Sequence, residues 1–405
     1  MPPVLWILTA AAFTIGTDAY VIAGVLPDLA RDLDVTVGAA GQLVTVFAAV
    51  YALSAPVVSS LTASLSRRSA LAAALAVFTA GNALTAVAPG YGLVVLGRIV
   101  AAAGAAGFTP AASAAAADLV PPRHRAKALA AVIGGITTAT ALGVPLGTLA
   151  AGALGWRATL GGVAVLGLAA LVGVAAWLPA LPPGPRYTLA ERFAGLRNPA
   201  VLAVLVVSLF TVTSEQVVYT YIGTTLAPAT GARAGVLAAL LLVFGSGALV
   251  GNAVAGWATD RFGSRITLLL AVGGMTADLA LLPWWCRSLP AAAAAMCCWG
   301  LTAWMYVVPQ QHRLLFLAGS GGPLAVALHS SVLYLGMAVS GALGGAVLQF
   351  GPPPWLALPA VLLGALAVGV AAVGYGRERA LSSTVPTVSP QGQVFRREGR
   401  ENADS

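Results

Sequence analysis

The chain has 405 residues, of which 59% are hydrophobic and only 8% charged, with a mean hydropathy of +0.90. A soluble domain carries about a quarter charged residues, so this composition excludes a soluble globular protein, an alanine-rich one included. The net charge of +8 would point to nucleic acid in a soluble protein, but its placement, described below, excludes that partner.

Twelve apolar segments can be marked along the chain. Six fall at about 5–26, 41–65, 69–88, 91–116, 127–151 and 158–178. Six more fall at about 199–222, 235–257, 266–284, 290–309, 323–348 and 355–375. Each is long enough to cross about 30 Å of hydrocarbon as a helix. Alternating strand patterning is absent, and at this length and apolarity only helices satisfy their backbone within lipid. The expected fold is therefore an all-α integral membrane protein with twelve transmembrane helices. The N-terminus runs directly into the first segment without a basic flank, so that segment reads as retained and not as a signal peptide.

The first segment carries one carboxylate, Asp18, in TIGTDAYVIAG. An acid inside a span is expensive unless it faces a cavity, a partner or a proton. One reading makes it a structural acid helped by Thr14 and Thr17. The other makes it a proton or substrate site, with Thr17 and Tyr20 lining the same cavity. Arg98, in the fourth segment, is the only cation well inside a span, and it too requires a partner. Asp18 is its nearest candidate. The pair is either a static tie between spans 1 and 4 or a coupling device. An arginine keeps its charge and can instead govern a neighbour's proton.

The loops alternate in charge. Numbered so that both termini share one side, that side holds sixteen of the 21 cations. They include Arg67, Arg68, Arg123, Arg125, Lys127, Arg186, Arg192, Arg197, Arg261, Arg265, Arg313, Arg377 and Arg379, with Arg396, Arg397 and Arg400 in the tail. Arg31, Arg157, Arg233 and Arg287 lie opposite. The positive-inside rule then places both termini in the cytoplasm. The expected organisation is a six-helix half over 1–178, a cytoplasmic loop over 179–198, a second half over 199–376, and a disordered tail over 377–405. A short amphipathic helix is expected within the loop from Leu189.

In span 7, Glu215, Gln216, Tyr219 and Tyr221 form a polar stripe. Glu215 and Tyr219 are four apart and share a face. Glu215 begins the second half as Asp18 begins the first, and either a cavity role or a core hydrogen bond fits it. Asp278 and His329 fit interfacial water and helix packing, and Gln310, Gln311 and His312 the cytoplasmic exit of span 10. The three cysteines include no CxxC pair, and no histidine cluster has ligand spacing, so no metal site is expected. No GxxxxGK[ST] occurs, so the chain carries no ATP motor of its own. In span 5, Gly143, Pro145 and Gly147 permit close helix approach and a bend. Span 11 has a similar glycine run, with Gly336, Gly341, Gly344 and Gly345. Short basic turns follow spans 2 and 8, LTASLSRRSAL and GWATDRFGSRITLL, a weak internal echo of duplicated halves.

These residues resemble the major facilitator superfamily. GWATDRFGSR, with Asp260, Arg261, Gly263 and Arg265, matches its signature loop. The turn after span 2 matches in part, with Arg67 and Arg68 present and Ser66 near where an acid is usual. LGRIVAAAGAA resembles the span 4 motif that carries Arg98. GVPLG resembles the antiporter motif of span 5, departing from it at Val144 and Thr148. GTDAYVIAGVLPDLA and GQLVTVFAAVYALSAPV are similar to the twelve-span drug:proton antiporters. With LSRRSAL, FTAGNALTA and RATLGGVA, the nearest likeness is to actinobacterial chloramphenicol exporters. The resemblance implies two pseudo-symmetric six-helix halves in the plasma membrane, working as a monomer without a cofactor. The proton gradient would supply the energy. It implies Asp18, Arg98 and Glu215 in proton coupling, and drug in a cavity lined by Thr17, Tyr20, Gln216 and Tyr219. The two loop motifs and the span 5 glycines would serve gating and helix packing. An exporter of a sugar, amino acid or nucleoside is the competing expectation. A receptor or enzyme would need an added domain or a catalytic cluster, and neither is visible in the sequence.

Overall fold

Apolar segments that must bond their own backbone have one common solution, and the computed structural model shows it: every regular element among the described residues is helical. The structure describes residues 2–183 and 187–382. The first crossings are α1 (Pro3–Asp32), α2 (Val37–Leu61), α3 (Arg67–Val87) and α4 (Tyr91–Asp118). Next come α5, which runs from Arg125 to Leu154, and α6 (Trp156–Trp177). After the linker, α7 (Pro199–Tyr219) continues into two short turns. Ala234–Ala280 follows, then α10 (Leu289–Ala318), α11 (Gly322–Phe350) and α12 (Ala357–Ser382).

Among the described residues, eleven helices are long and apolar enough to span a bilayer, but Ala234–Ala280 has 47 residues, about twice what one crossing needs. It bends at Gly263, whose φ of 80° and ψ of 159° are non-helical. The stretch before the bend is α8 and the stretch after it α9, which restores twelve crossings. Only glycine adopts that φ without strain.

The ends of α1 and α12 differ from the sequence reading. α1 runs past Pro27 to Asp32 instead of stopping near 26. Proline costs a helix interior one N–H bond. Here the turn around Gly223 packs directly on the ring, where a Cβ would lie 3.2 Å from Pro27 Cδ. α12 likewise continues through Ser382, so residues 377–382 are helical. The rest of the expected tail, with Arg396, Arg397 and Arg400, and Arg186 in the linker lie outside the described residues. The linker helix forms where expected, over Leu189–Phe193. A capping box starts it: Thr188 Oγ1 accepts from the Glu191 N–H, and Glu191 Oε2 accepts from the Thr188 N–H at 2.7 Å.

Most packing joins helices on the same side of the linker: α3 with α4 and α6, α1 with α5, α8 and α9 with α10, and α7 with α11 and α12. The main contacts across the linker divide are α2 on α11 and α5 on α8. Small residues make both close. A Cβ on Gly245 of α8 would lie 2.3 Å from Ala141 Cα of α5, and one on Gly38 of α2 would lie 3.1 Å from the Gly345 carbonyl of α11. Lipid gives no hydrophobic drive between helices, so close backbone approach carries the association.

Candidate functional site: a buried ion pair above a serine-lined cavity

Arg98 Nη1 of α4 lies 2.6 Å from Asp18 Oδ1 of α1, and both side chains are fully buried (0% exposed). Nη2 also donates to the Asp18 backbone carbonyl at 3.4 Å. The guanidinium lies over the Phe47 ring of α2, 4.1 Å from its centre. Glycines bring α4 deep enough for this: a Cβ on Gly81 of α3 would lie 2.2 Å from the Ala101 nitrogen, and one on Gly104 would lie 2.4 Å from the Phe78 nitrogen. Asn82 of α3 adjoins Asp18 and donates its amide to the Phe78 carbonyl at 3.2 Å. Among the described residues, Asp18 Oδ2 and Arg98 Nε are buried without a close hydrogen-bond partner, the Asn82 side chain being the group that adjoins the carboxyl. The acid thus has one oxygen held and one available to a proton or a ligand donor.

Glu215 of α7 stands apart from this pair. Gln216 Nε2 lies 3.5 Å from its Oε1, at the outer limit of a hydrogen bond. Tyr20, Tyr219 and Tyr306 surround it within electrostatic reach. Tyr20 meets Tyr219 edge-on at 5.9 Å, and Tyr219 also packs against Phe244 and Trp299. Tyrosines therefore lie between the two acids, with Tyr334 near both Tyr20 and Asp18.

A cavity of about 350 Å³ lies on the linker side of this layer. Its polar lining is Ser59 of α2, Thr109 and Ser113 of α4, Ser330 and Ser331 of α11, and Arg192 of the linker helix. Tyr51, which lines its inner end, stacks on Tyr334 at 3.5 Å and 18°. The opposite end of α2 and α11 is closed. There the Tyr221 hydroxyl donates to the Gly341 carbonyl at 2.6 Å, and Gln42 Nε2 reaches the same oxygen at 3.4 Å.

The expected cavity residues Thr17, Tyr20, Gln216 and Tyr219 do not line this space. Thr17 faces α5, where a Cβ on Gly143 would come within 2.0 Å of its Oγ1, and it donates to the Phe13 carbonyl at 2.9 Å. Tyr20 and Tyr219 join the aromatic layer, and Gln216 is buried beside Glu215. Helix rotation decides this, because a polar stripe shows which residues share a face and not what that face meets. The cavity serines and Tyr51 were missed because small hydroxyls and single tyrosines are ordinary in spans.

The other expected residues fall in two groups. In α5, a π-turn over Ala139–Gly143 precedes Pro145, widening the helix where proline would otherwise crowd the preceding turn. A Cβ on Gly147 would meet Val21 of α1 at 2.4 Å. In the turn after α2, Arg67 pairs with Asp118 of α4 at 3.5 Å and Arg68 donates to the Ala175 carbonyl of α6. Ser66, at the place of the usual acid, caps α3 by accepting from the Ser69 N–H at 3.1 Å. In the turn at Gly263, Asp260 and Arg261 are exposed, and Ser264 Oγ bonds His312 Nδ1 of α10 at 3.1 Å.

One buried network departs from the sequence reading. Gln310 is fully buried instead of marking the exit of span 10. Its Nε2 donates to the Val204 carbonyl and to Ser208 Oγ, both at 3.0 Å. Ser208 Oγ also meets His329 Nε2 at 3.0 Å, and Arg313 Nη1 donates to Gln310 Oε1 at 3.2 Å. Together these side chains tie α7, α10 and α11.

The Major Facilitator Superfamily family model matches residues 8–320. The chain belongs to the major facilitator superfamily. Among the relatives of this superfamily transporter is the uncharacterized MFS-type transporter YbcL of Bacillus subtilis (strain 168). It is 34% identical over 348 residues, covering 85% of this chain and 88% of that protein. The inner membrane transport protein YdhP of Escherichia coli (strain K12) is 33% identical over 346 residues, with the same coverage of 85% and 88%. A chloramphenicol resistance protein of Streptomyces lividans is 34% identical over 292 residues, covering 70% of this chain and 72% of that protein. The fold, the twelve crossings and the multi-pass membrane character of this superfamily member agree.

Proposed function

We propose that this transporter exports chloramphenicol or related hydrophobic drugs from the cytoplasm in exchange for protons. The observation that carries the reading is the fully buried Asp18–Arg98 pair, in which Asp18 keeps one oxygen unpartnered. Arg98 cannot release its charge, so the proton that moves is on Asp18. Protonation removes half of a charge-assisted bond and loosens α1 from α4. Glu215, within its tyrosine layer, is the second proton-binding group. The relative named for chloramphenicol resistance supports the choice of drug. Chloramphenicol is uncharged, so Asp18 serves the proton and not charge attraction.

The linker side is the cytoplasmic side in this reading, on the charge bias of the loops. On this reading, the cavity open toward the linker corresponds to the state in which cargo enters from the cytoplasm. Alternating access opens the α2–α11 contact at the far end and closes the cavity at the linker end. The transporter works as a monomer, with the proton gradient as its only energy source. Drug-driven proton movement in proteoliposomes tests the reading. Asp18→Asn is expected to bind drug but move no protons; normal antiport by that variant would remove Asp18 from the coupling role.

A further inference from the structure

The cavity on the linker side has an unusual charge pattern for a chamber framed by buried acids. No carboxylate occurs among its lining residues. Asp18 and Glu215 do not line it, and Tyr51, which does, stacks on Tyr334. Among the described residues, its one charged lining residue is Arg192, which comes from the linker helix and not from any membrane crossing.

Arg192 is held in place at the mouth. Its Nε donates to Ser60 Oγ of α2 at 3.1 Å, and its guanidinium carbon lies 5.9 Å from the centre of the Tyr187 ring. The neighbouring Glu191 is turned away into the capping box, where the Thr188 backbone N–H and then its hydroxyl hold the carboxyl below its ordinary range. Glu191 keeps its negative charge but does not line the cavity, so Arg192 is the charged side chain that faces cargo there. An adjoining recess of about 210 Å³ is lined by Arg192 and Arg67, and Arg67 is paired to Asp118, so Arg192 is the cation without a carboxylate partner there.

We infer that Arg192 makes the linker helix a charge filter for cargo, admitting uncharged and anionic aromatic molecules and excluding lipophilic cations. The inference rests on the reading of this cavity as the cargo site. Serine and threonine hydroxyls on α2, α4 and α11 offer donors and acceptors to hydroxyl, amide or nitro groups. Proline, alanine and leucine side chains and the Tyr51 ring take the apolar body. A cation would meet Arg192 with no acid to offset it. Reversing one unit charge at a half-wet rim shifts a monovalent ligand by about tenfold.

The test is equilibrium binding to the purified full-length protein, without a proton gradient. Three probes are compared: chloramphenicol, its anionic hemisuccinate ester and the cation tetraphenylphosphonium. The wild type is expected to bind the cation at least about tenfold more weakly than either other probe. Arg192→Glu is expected to gain about tenfold for the cation and to lose about as much for the ester. Arg192→Lys should keep the wild-type ratio, which a purely structural anchoring role to Ser60 would not predict. Arg192→Gln should fall between them. Equal or preferential binding of the cation by the wild type overturns the inference, and so does Arg192→Glu without a gain for the cation. Failure of the antiport reading would look different: drug would bind with the same charge preference but move no protons.

Discussion

Arg98 has five N–H donors and places only two of its terminal nitrogens on Asp18. Removing one member of a buried pair leaves the other uncompensated, at a cost of about 3–5 kcal/mol. Arg98→Ala should therefore unfold at markedly lower temperature than Asp18→Asn, which keeps a neutral acceptor near the guanidinium. Thermal melts in detergent would show the order, and equal losses would mean that the pair is not the tie between α1 and α4. Ser208 makes a comparable prediction. Its hydroxyl joins Gln310 and His329, so Ser208→Ala should cost about 1–3 kcal/mol by leaving buried donors unmet. Ser208→Thr, which retains the hydroxyl, should recover part of that loss.

At the scale of elements, the contact of α5 on α8 is set by Gly245, whose added Cβ would strike backbone and not a movable side chain. Gly245→Ala should push the helices apart, costing about 1–3 kcal/mol in melts as an overpacked contact does. Transport should fall further than stability does if this interface slides, as the proposed alternating access requires. In α5 the obstacle is different. Gly143 faces the Thr17 hydroxyl, so Gly143→Ala should be relieved in the double variant with Thr17→Ala, and uptake assays would read the rescue. In the linker, the lowered carboxyl of Glu191 stabilises the helix start at neutral pH. That contribution is present above the ordinary carboxylate range and is lost as pH falls through the lowered value. Proteolysis of the linker should therefore quicken as pH falls through that lowered value; Thr188→Ala, which keeps the N–H but loses the hydroxyl, should weaken the dependence, and Glu191→Gln should abolish it.

Across the whole molecule, the closed end of α2 and α11 gives a direct test of alternating access. Cysteines at Gly38 and Gly345, with Cys286, Cys297 and Cys298 replaced, should cross-link in the resting state and stop transport until reduced. Full activity with the link intact would show that this end never opens. Much of this architecture was legible in the sequence. Hydropathy marked the spans, and intramembrane charge is so scarce that Arg98 had one obvious partner, Asp18. The location of the cavity was not legible. It depends on how α2, α4 and α11 are rotated, and Tyr51 and Tyr334 carry no local signal that they will stack across the divide. The role of Ser66 was hidden for a related reason: a motif shows that an acid is missing, but not that a helix cap stands in its place.

The bend at Gly263 has a mechanical meaning. Because α8 passes into α9 without a slack loop, the two crossings form a bell crank pivoted at the membrane surface. If α8 tilts on α5, as the proposed alternating access requires, α9 is expected to move with it, together with α10 and α12, on which the α8–α9 pair packs. The turn between α2 and α3 is looser, with a 3₁₀ turn and a serine cap between its helices. The corresponding turns of the two halves are thus built differently: α8 and α9 meet at a single non-helical glycine, while a 3₁₀ turn and a serine cap separate α2 from α3.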